Sequence, residues 1–155
     1  GYRILVMNAM GCVHIEPNLD APYSFIDRVL SREAGNYDIA VLDIHAEATG
    51  EKYAVAMCYD GKFSVIFGTH THVQTADEQI LPHGTGYITD IGMTGAEQSV
   101  LGVKKEIIIN RLKNGATDKF EQDEGAAVLM GCVFDIDPNG RTTAAQTIYI
   151  KEKSR

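Results

Sequence analysis

Asp38-Ile39-Ala40-Val41-Leu42-Asp43-Ile44, followed at once by His45-Ala46-Glu47-Ala48-Thr49, is the stretch on which the fold turns. An almost continuous apolar run of this kind is the pattern of a strand covered on both faces. Just upstream, Phe25, Ile26, Val29 and Leu30 form a helical stripe within Tyr23–Ala34, and Gly35-Asn36 stops it. Asn18, Asp20 and Pro22 supply turn and helix-start chemistry before that stripe. Earlier still, Tyr2–Met10 reads as a buried strand ended by Gly11. Downstream, a second helix is expected from about Gly50 to Tyr59, with Thr49 as its cap and Tyr53, Ala54 and Met57 as a narrow apolar face. Asp60-Gly61 then turns the chain into a strand at Phe63–Phe67. Strand, helix, strand, helix, strand implies an α/β fold with parallel strands and right-handed crossovers.

Beyond this unit, Ile80–Gly86 reads as loop, Tyr87–Ile91 as a further strand and Lys104–Leu112 as a short helix. That helix would set Ile107, Ile108 and Leu112 on one side, with Gly115 beyond its end. Gly125–Asp137 and Thr142–Lys151 are long strand patterns joined by Asp137-Pro138-Asn139-Gly140, a strong turn signal. The chain is therefore expected to close on an antiparallel hairpin, which makes the sheet mixed. No repeat or linker interrupts residues 1–155, so a single domain is expected.

The chain has 155 residues, 45% hydrophobic and 23% charged, as in an ordinary globular protein. A net charge of -7 argues against broad attraction to nucleic-acid backbone or an anionic membrane. No apolar run approaches the ~20 residues that span a bilayer. Cys12, Cys58 and Cys132 are odd in number and widely spaced. They read as small buried hydrophobes in a reducing cytoplasm rather than as a disulfide framework.

The chemistry gathers at the expected strand ends, where α/β sheets place their ligands. Gly68-Thr69-His70-Thr71-His72 follows Val65-Ile66-Phe67. In an extended backbone, His70 and His72 would project to one side. Gly68 would let the chain leave the strand with unusual dihedrals, and Thr69 and Thr71 would bond to local backbone. Alternating imidazoles suit zinc, iron or manganese; an exposed polar pair is the other reading of the same residues. His45 lies at the end of a neighbouring strand. Three imidazoles could close one metal shell with a carboxylate or water, and are too few for two. Asp43, on the same strand face as His45, could orient an imidazole, or could face solvent or a backbone amide. Asp90 beside Gly92 could orient a ligand in the same way. Glu47 reads as a helix-start acid, and His14 and His83 as exposed loop residues. No nucleophile motif is present, so a hydrolase built on this chain would use metal-activated water.

Asp43–Thr49, Gly68–Asp77 (Gly-Thr-His-Thr-His-Val-Gln-Thr-Ala-Asp) and Tyr87–Gly95 (Tyr-Ile-Thr-Asp-Ile-Gly-Met-Thr-Gly) resemble the YmdB-like family, in register over essentially the whole chain. These are calcineurin-like metallophosphoesterases, described as 2′,3′-cyclic nucleotide phosphodiesterases. The resemblance implies part of a four-layer α/β/β/α sandwich holding two divalent or mixed-valence metal ions, usually iron or manganese. It implies His45 and His70 as ligands of one ion and His72 of the other; Asp43, Thr69 and Asp90 stand beside them as supporting candidates read from the residues themselves. It implies a small phosphodiester substrate and a cytoplasmic enzyme with no membrane attachment. The chain departs from the family in matching only its second half. The first half carries an aspartate near the N-terminus, a Glu-Asn pair and an Asn-His motif, and no such motif stands in this sequence. Asn8 belongs to the later part of the fold and is not assigned to that set. The expectation is the histidine part of a dinuclear site, inactive by itself, with an exposed face that favours a homo-oligomer or association with the missing half. A non-catalytic half-domain, binding a metal or a protein partner, is the reading from the other class.

Overall fold

The first half of the chain winds as its pattern dictates. β1 (Ile4–Met10), α1 (Tyr23–Arg32), β2 (Ile39–His45), α2 (Thr49–Cys58) and β3 (Val65–Thr69) alternate. They are followed by β4 (Gln79–Ile80) and β5 (Gly86–Ile88). A computed structural model describes residues 1–16 and 19–152, so Asn18, one of the expected helix-start residues, lies outside the described residues. The sheet order is β1-β2-β3-β5-β4, parallel except for β4 against β5.

Right-handed crossovers put α1 and α2 on one face of this sheet. There Ile26, Val29, Val55 and Ala56 bury against Met7, Ala9, Leu42, Ile44, Ile66 and Tyr87 in one core. Each fully buried Ile, Leu or Val in that core contributes about 1.5–3 kcal/mol. The buried face of α2 differs from expectation: Lys52, Val55 and Ala56 point inward, while Tyr53 and Met57 are exposed. The stripe Lys52, Val55, Ala56, Tyr59 has helical spacing, and the lysine within it disguises it as solvent-facing. Ala48, not Thr49, occupies the cap position, and no side chain caps the helix.

β6 (Thr94–Ala96), α3 (Lys105–Asn114), β7 (Ala127–Ile136) and β8 (Thr142–Lys151) follow. The antiparallel hairpin forms where expected, with Gly140 at φ 79 closing its turn through a bond to the Asp137 carbonyl. It does not extend the parallel sheet. β6, β7 and β8 make a second, antiparallel sheet, because β4 already occupies the free edge of β5. The mixed character of the first sheet comes from β4 instead. β8 lies over β4 and β5, and Thr142 donates from Oγ1 to the Ser64 carbonyl at 2.7 Å. Helices, sheet and second sheet thus stack in succession, the layering expected of part of an α/β/β/α sandwich. α3 ends at Gly115, φ 69, but buries none of its residues, and Leu112 is 80% exposed.

Cover on the outer face of the first sheet is incomplete. β1 is an edge strand on which only Met7 and Ala9 are buried; Ile4, Val6 and Met10 are exposed, Val6 by 72%. The buried strand expected at Tyr2–Met10 is therefore an edge whose second face has no partner among the described residues. Beside it, Val41, Val65 and Phe67 look across an apolar cleft of about 380 Å³ at Phe134, Ile136 and Ile148. The cysteines are free, and none is fully buried as expected; Cys58 is exposed.

Gly68 lies inside β3 at an ordinary dihedral, and its function is close approach. A Cβ there would sit 1.8 Å from the Thr89 carbonyl oxygen and 2.7 Å from Lys52 Cδ. Gly68→Ala is expected to cost at least about 3 kcal/mol, lowering the melting temperature by roughly 10 °C. A denaturation midpoint unchanged by the substitution would show that the Thr89 backbone yields freely.

Candidate functional site

The C-terminal edge of the parallel sheet brings four side chains from three strands into one hydrogen-bonded chain. Register fixes them: Asn8 pairs with Asp43 across β1 and β2, and His45 with Thr69 across β2 and β3. Asn8 Nδ2 donates to Asp43 Oδ2 at 2.8 Å, Thr69 Oγ1 donates to Asp43 Oδ1 at 2.7 Å, and His45 Nδ1 lies 3.0 Å from Thr69 Oγ1. Thr69 has one hydroxyl proton and gives it to the carboxylate. It must therefore accept from His45, which fixes the proton on Nδ1 and leaves the Nε2 lone pair free.

His70 meets that lone pair. Its Nδ1 lies 3.1 Å from His45 Nε2, with the two rings perpendicular at 88° and 4.8 Å between centroids. On its other side, Nε2 lies 3.1 Å from Glu47 Oε2. With the His45 Nε2 lone pair as acceptor, the 3.1 Å contact is a hydrogen bond that His70 Nδ1 donates, and a metal entering between the two nitrogens would take the place of that one proton. Two imidazole nitrogens bound to one metal at about 2.1 Å would sit about 3.0 Å apart at a right angle and about 3.4 Å apart at the tetrahedral angle. The observed 3.1 Å fits such a pair. Iron, manganese and zinc all accept neutral imidazole nitrogens. Among the described residues no three His, Cys, Asp or Glu groups converge on a common metal position, so this pair offers two coordination places.

His72 stands apart. β3 ends at Thr69, and the chain turns into a loop with His70 at φ 104 and His72 at φ 64, so the expected same-side projection along a strand does not occur. His72 Nδ1 points to the Leu101 carbonyl at 3.4 Å, in a hollow shared with Met93 and Phe120. Left-handed dihedrals at non-glycine residues store strain that the surroundings must hold.

Asp90 supplies that hold. It is wholly buried beyond the end of β5, paired at 2.9 Å with Lys52, which is also 0% exposed. Its Oδ2 also accepts from Thr71 N at 3.0 Å and Thr71 Oγ1 at 2.8 Å, and Oδ1 accepts from Gly92 N at 2.9 Å. Thr71 is the residue between the two histidines, so Asp90 anchors the loop by its centre. Both threonines bond to side chains beyond their own loop, not to the local backbone as expected. A second strap lies alongside, where Thr89 donates through N and Oγ1 to Asp77 at 3.1 and 2.5 Å. Burial pushes the Asp77 carboxyl up, but bonds from Thr75 and Thr89 outweigh it and hold Asp77 below the ordinary carboxylate range.

Asn8, Glu47 and Lys52 are the members the sequence did not reveal. His14 and His83 are exposed, as expected, although His83 is tied to Asp60 at 2.9 Å. No helix is long and apolar enough to cross a membrane among the described residues.

The family described as YmdB-like protein matches residues 1–148. A 2′,3′-cyclic-nucleotide 2′-phosphodiesterase of Bacillus subtilis is 44% identical over 137 residues, covering 88% of this chain and 52% of that protein. A putative phosphatase/phosphodiesterase of Mycoplasma pneumoniae is 45% identical over 140 residues, covering 88% of this chain and 49% of that protein. Among solved structures, a hypothetical protein from Thermus thermophilus superposes with TM-score 0.89 at 37% identity, over 97% of this chain and 58% of that one. A novel phosphatase from Mycoplasma pneumoniae also superposes with TM-score 0.89, at 35% identity over 97% and 54% of the two chains. The chain spans about half the length of the curated relatives it matches.

Proposed function

We propose, for a chain that belongs to the YmdB-like family, that it supplies the histidine part of a dinuclear phosphodiesterase site acting on 2′,3′-cyclic nucleotides. The observation that carries this is the opposition of His45 Nε2 and His70 Nδ1 at 3.1 Å, with Thr69 Oγ1 bonded behind the first ring and the Glu47 carboxylate 3.1 Å behind the second. Bound iron or manganese would supply Lewis acidity and a water made nucleophilic near neutral pH. Around it, His45 and His70 would hold one ion, while Asp43 and Thr69 keep His45 in the ligating tautomer and the Glu47 carboxylate stands beside His70 Nε2. His72 would serve the other ion from the strained loop, which Asp90 steadies through Thr71.

The remaining ligands and the proton donor would come from the half of the relatives that this chain does not match. The exposed Ile4, Val6 and Met10 on the edge strand, with the apolar cleft beside them, suit that segment or a second copy of the chain. Three free cysteines fit the reducing cytoplasm. A non-catalytic metal-binding or interaction module is the second reading, favoured by the convergence of only two ligand nitrogens.

The test joins this chain to the unmatched half of the Bacillus subtilis relative. Turnover of a 2′,3′-cyclic nucleotide by the chimera, lost on His45→Ala and absent from the chain alone, is the expected result. A folded, metal-loaded chimera without turnover would give the field to the binding module.

A further inference from the structure

A cavity of about 520 Å³ lies at the opposite end of the parallel strands from the histidines. Three loops build it: Asp60–Phe63 before β3, His83-Gly84 before β5, and Asn139–Arg141 in the hairpin turn. Two left-handed glycines let them close. A Cβ on Gly61 (φ 82) would stand 2.9 Å from His83 Cβ, and one on Gly84 (φ 98) 3.1 Å from Arg141 Cγ. Lys62, His83 and Arg141 therefore share one small basin.

Two cationic side chains meet in that basin, in a chain whose net charge is -7. Neither Lys62 nor Arg141 forms a side-chain ion pair among the described residues; Lys62 Nζ lies 5.3 Å above the Tyr59 ring, and the Arg141 backbone N donates to Asp137 Oδ1 at 2.9 Å. The two acids on the wall are already engaged. Asp38 is bound by Arg3 at 2.8 Å. Asp60, only 5% exposed, accepts from His83 N, His83 Nδ1 and Thr85 N. Burial pushes the Asp60 carboxyl up, but those bonds outweigh it and hold it below the ordinary carboxylate range. The same carboxylate takes the proton of His83 Nδ1 and orients the ring, in the cavity that Lys62 and Arg141 also line. A planar guanidinium and an ammonium donate to phosphate oxygens, while the Nε2 of an imidazole held this way accepts the proton of a P–OH group.

We infer that this cavity is a second ligand site, distinct from the histidine centre, binding a small phosphate monoester through Lys62, Arg141 and His83. The test uses the full chain carrying His45→Ala and His70→Ala, so that the strand-end site contributes nothing. Inorganic phosphate and AMP are titrated separately at constant ionic strength while the His83 ring signals are followed by NMR. Saturable shifts are expected, with affinity falling at least about tenfold in Lys62→Gln/Arg141→Gln. Tighter binding of AMP than of phosphate would identify an organic monoester as the ligand; equal binding would identify the free anion. Shifts that do not saturate, that chloride reproduces, or that survive the double substitution in a chain with an unchanged amide spectrum would overturn the site.

Discussion

His45→Ala and His70→Ala each lower the affinity of the purified chain for manganese by at least about 100-fold, because either change removes one of the two nitrogens that converge among the described residues. Calorimetry, with elemental mass spectrometry on the loaded chain, is the measurement. The groups behind the rings should matter less and in a definite order. Asp43→Asn and Glu47→Gln keep the ligand nitrogens but weaken the acceptors that fix them, an effect of roughly 10-fold to 100-fold. His72→Ala should change this first binding event little, since its ring reaches Leu101 rather than the pair. Unaltered manganese binding in both His45→Ala and His70→Ala would sink the metal reading altogether. Equal losses in all three histidine variants would mean that the loop closes His72 onto the pair when metal enters.

Asp90→Asn should be the most damaging single change that leaves every ligand in place. It strands the Lys52 ammonium in a fully buried position, and removing one partner of such a pair costs about 3–5 kcal/mol. In a chain of 155 residues that corresponds to a melting temperature lower by roughly 10 °C. Lys52→Met should cost less. The methionine retains much of the apolar stem, and Asp90 still receives Thr71 N, Thr71 Oγ1 and Gly92 N. The ranking is the decisive outcome of chemical denaturation on the two variants. If Lys52→Met proves worse, Asp90 is held chiefly by the lysine, and the hydrogen bonds to the loop are secondary.

The βαβαβ unit is legible in the sequence because it is local. Apolar runs at Ile39–Ile44 and the stripe through Ile26 and Val29 declare period and burial within a few residues. The hairpin is legible too, from Asp137-Pro138-Asn139-Gly140, but its sheet is not. Which edge is already filled depends on Gln79–Ile80 pairing with Gly86–Tyr87, two residues too short to show a pattern. At the site, His45 and His70 stand out as histidines at strand ends. Asn8 does not, because its link to Asp43 exists only through the parallel register of β1 and β2, a non-local relation no single segment encodes. Glu47 reads as serving its own helix, whereas the structure turns it toward His70. Lys52 does carry a signal: it occupies the first place of the α2 stripe that Val55, Ala56 and Tyr59 complete. His72 is misplaced by any reading in which the strand continues past Thr69. Gly68 reads as a source of freedom, when the constraint is the 1.8 Å that any Cβ would leave to Thr89.

The positive dihedrals at His70 and His72 set two kinds of selection against each other. Each position holds a side chain where glycine would sit with less strain, at a cost of order 1–3 kcal/mol. Variants chosen only for thermal robustness would drift from histidine at 70 and 72, while variants chosen for metal would retain it at 70 and tolerate the cost. The buried Lys52–Asp90 pair lies on the conservative side of that contest, since it keeps the loop in its uncomfortable shape. Evolution toward a hardier chain and evolution toward a working one would therefore part company first in these three residues of loop, long before the core recorded any difference.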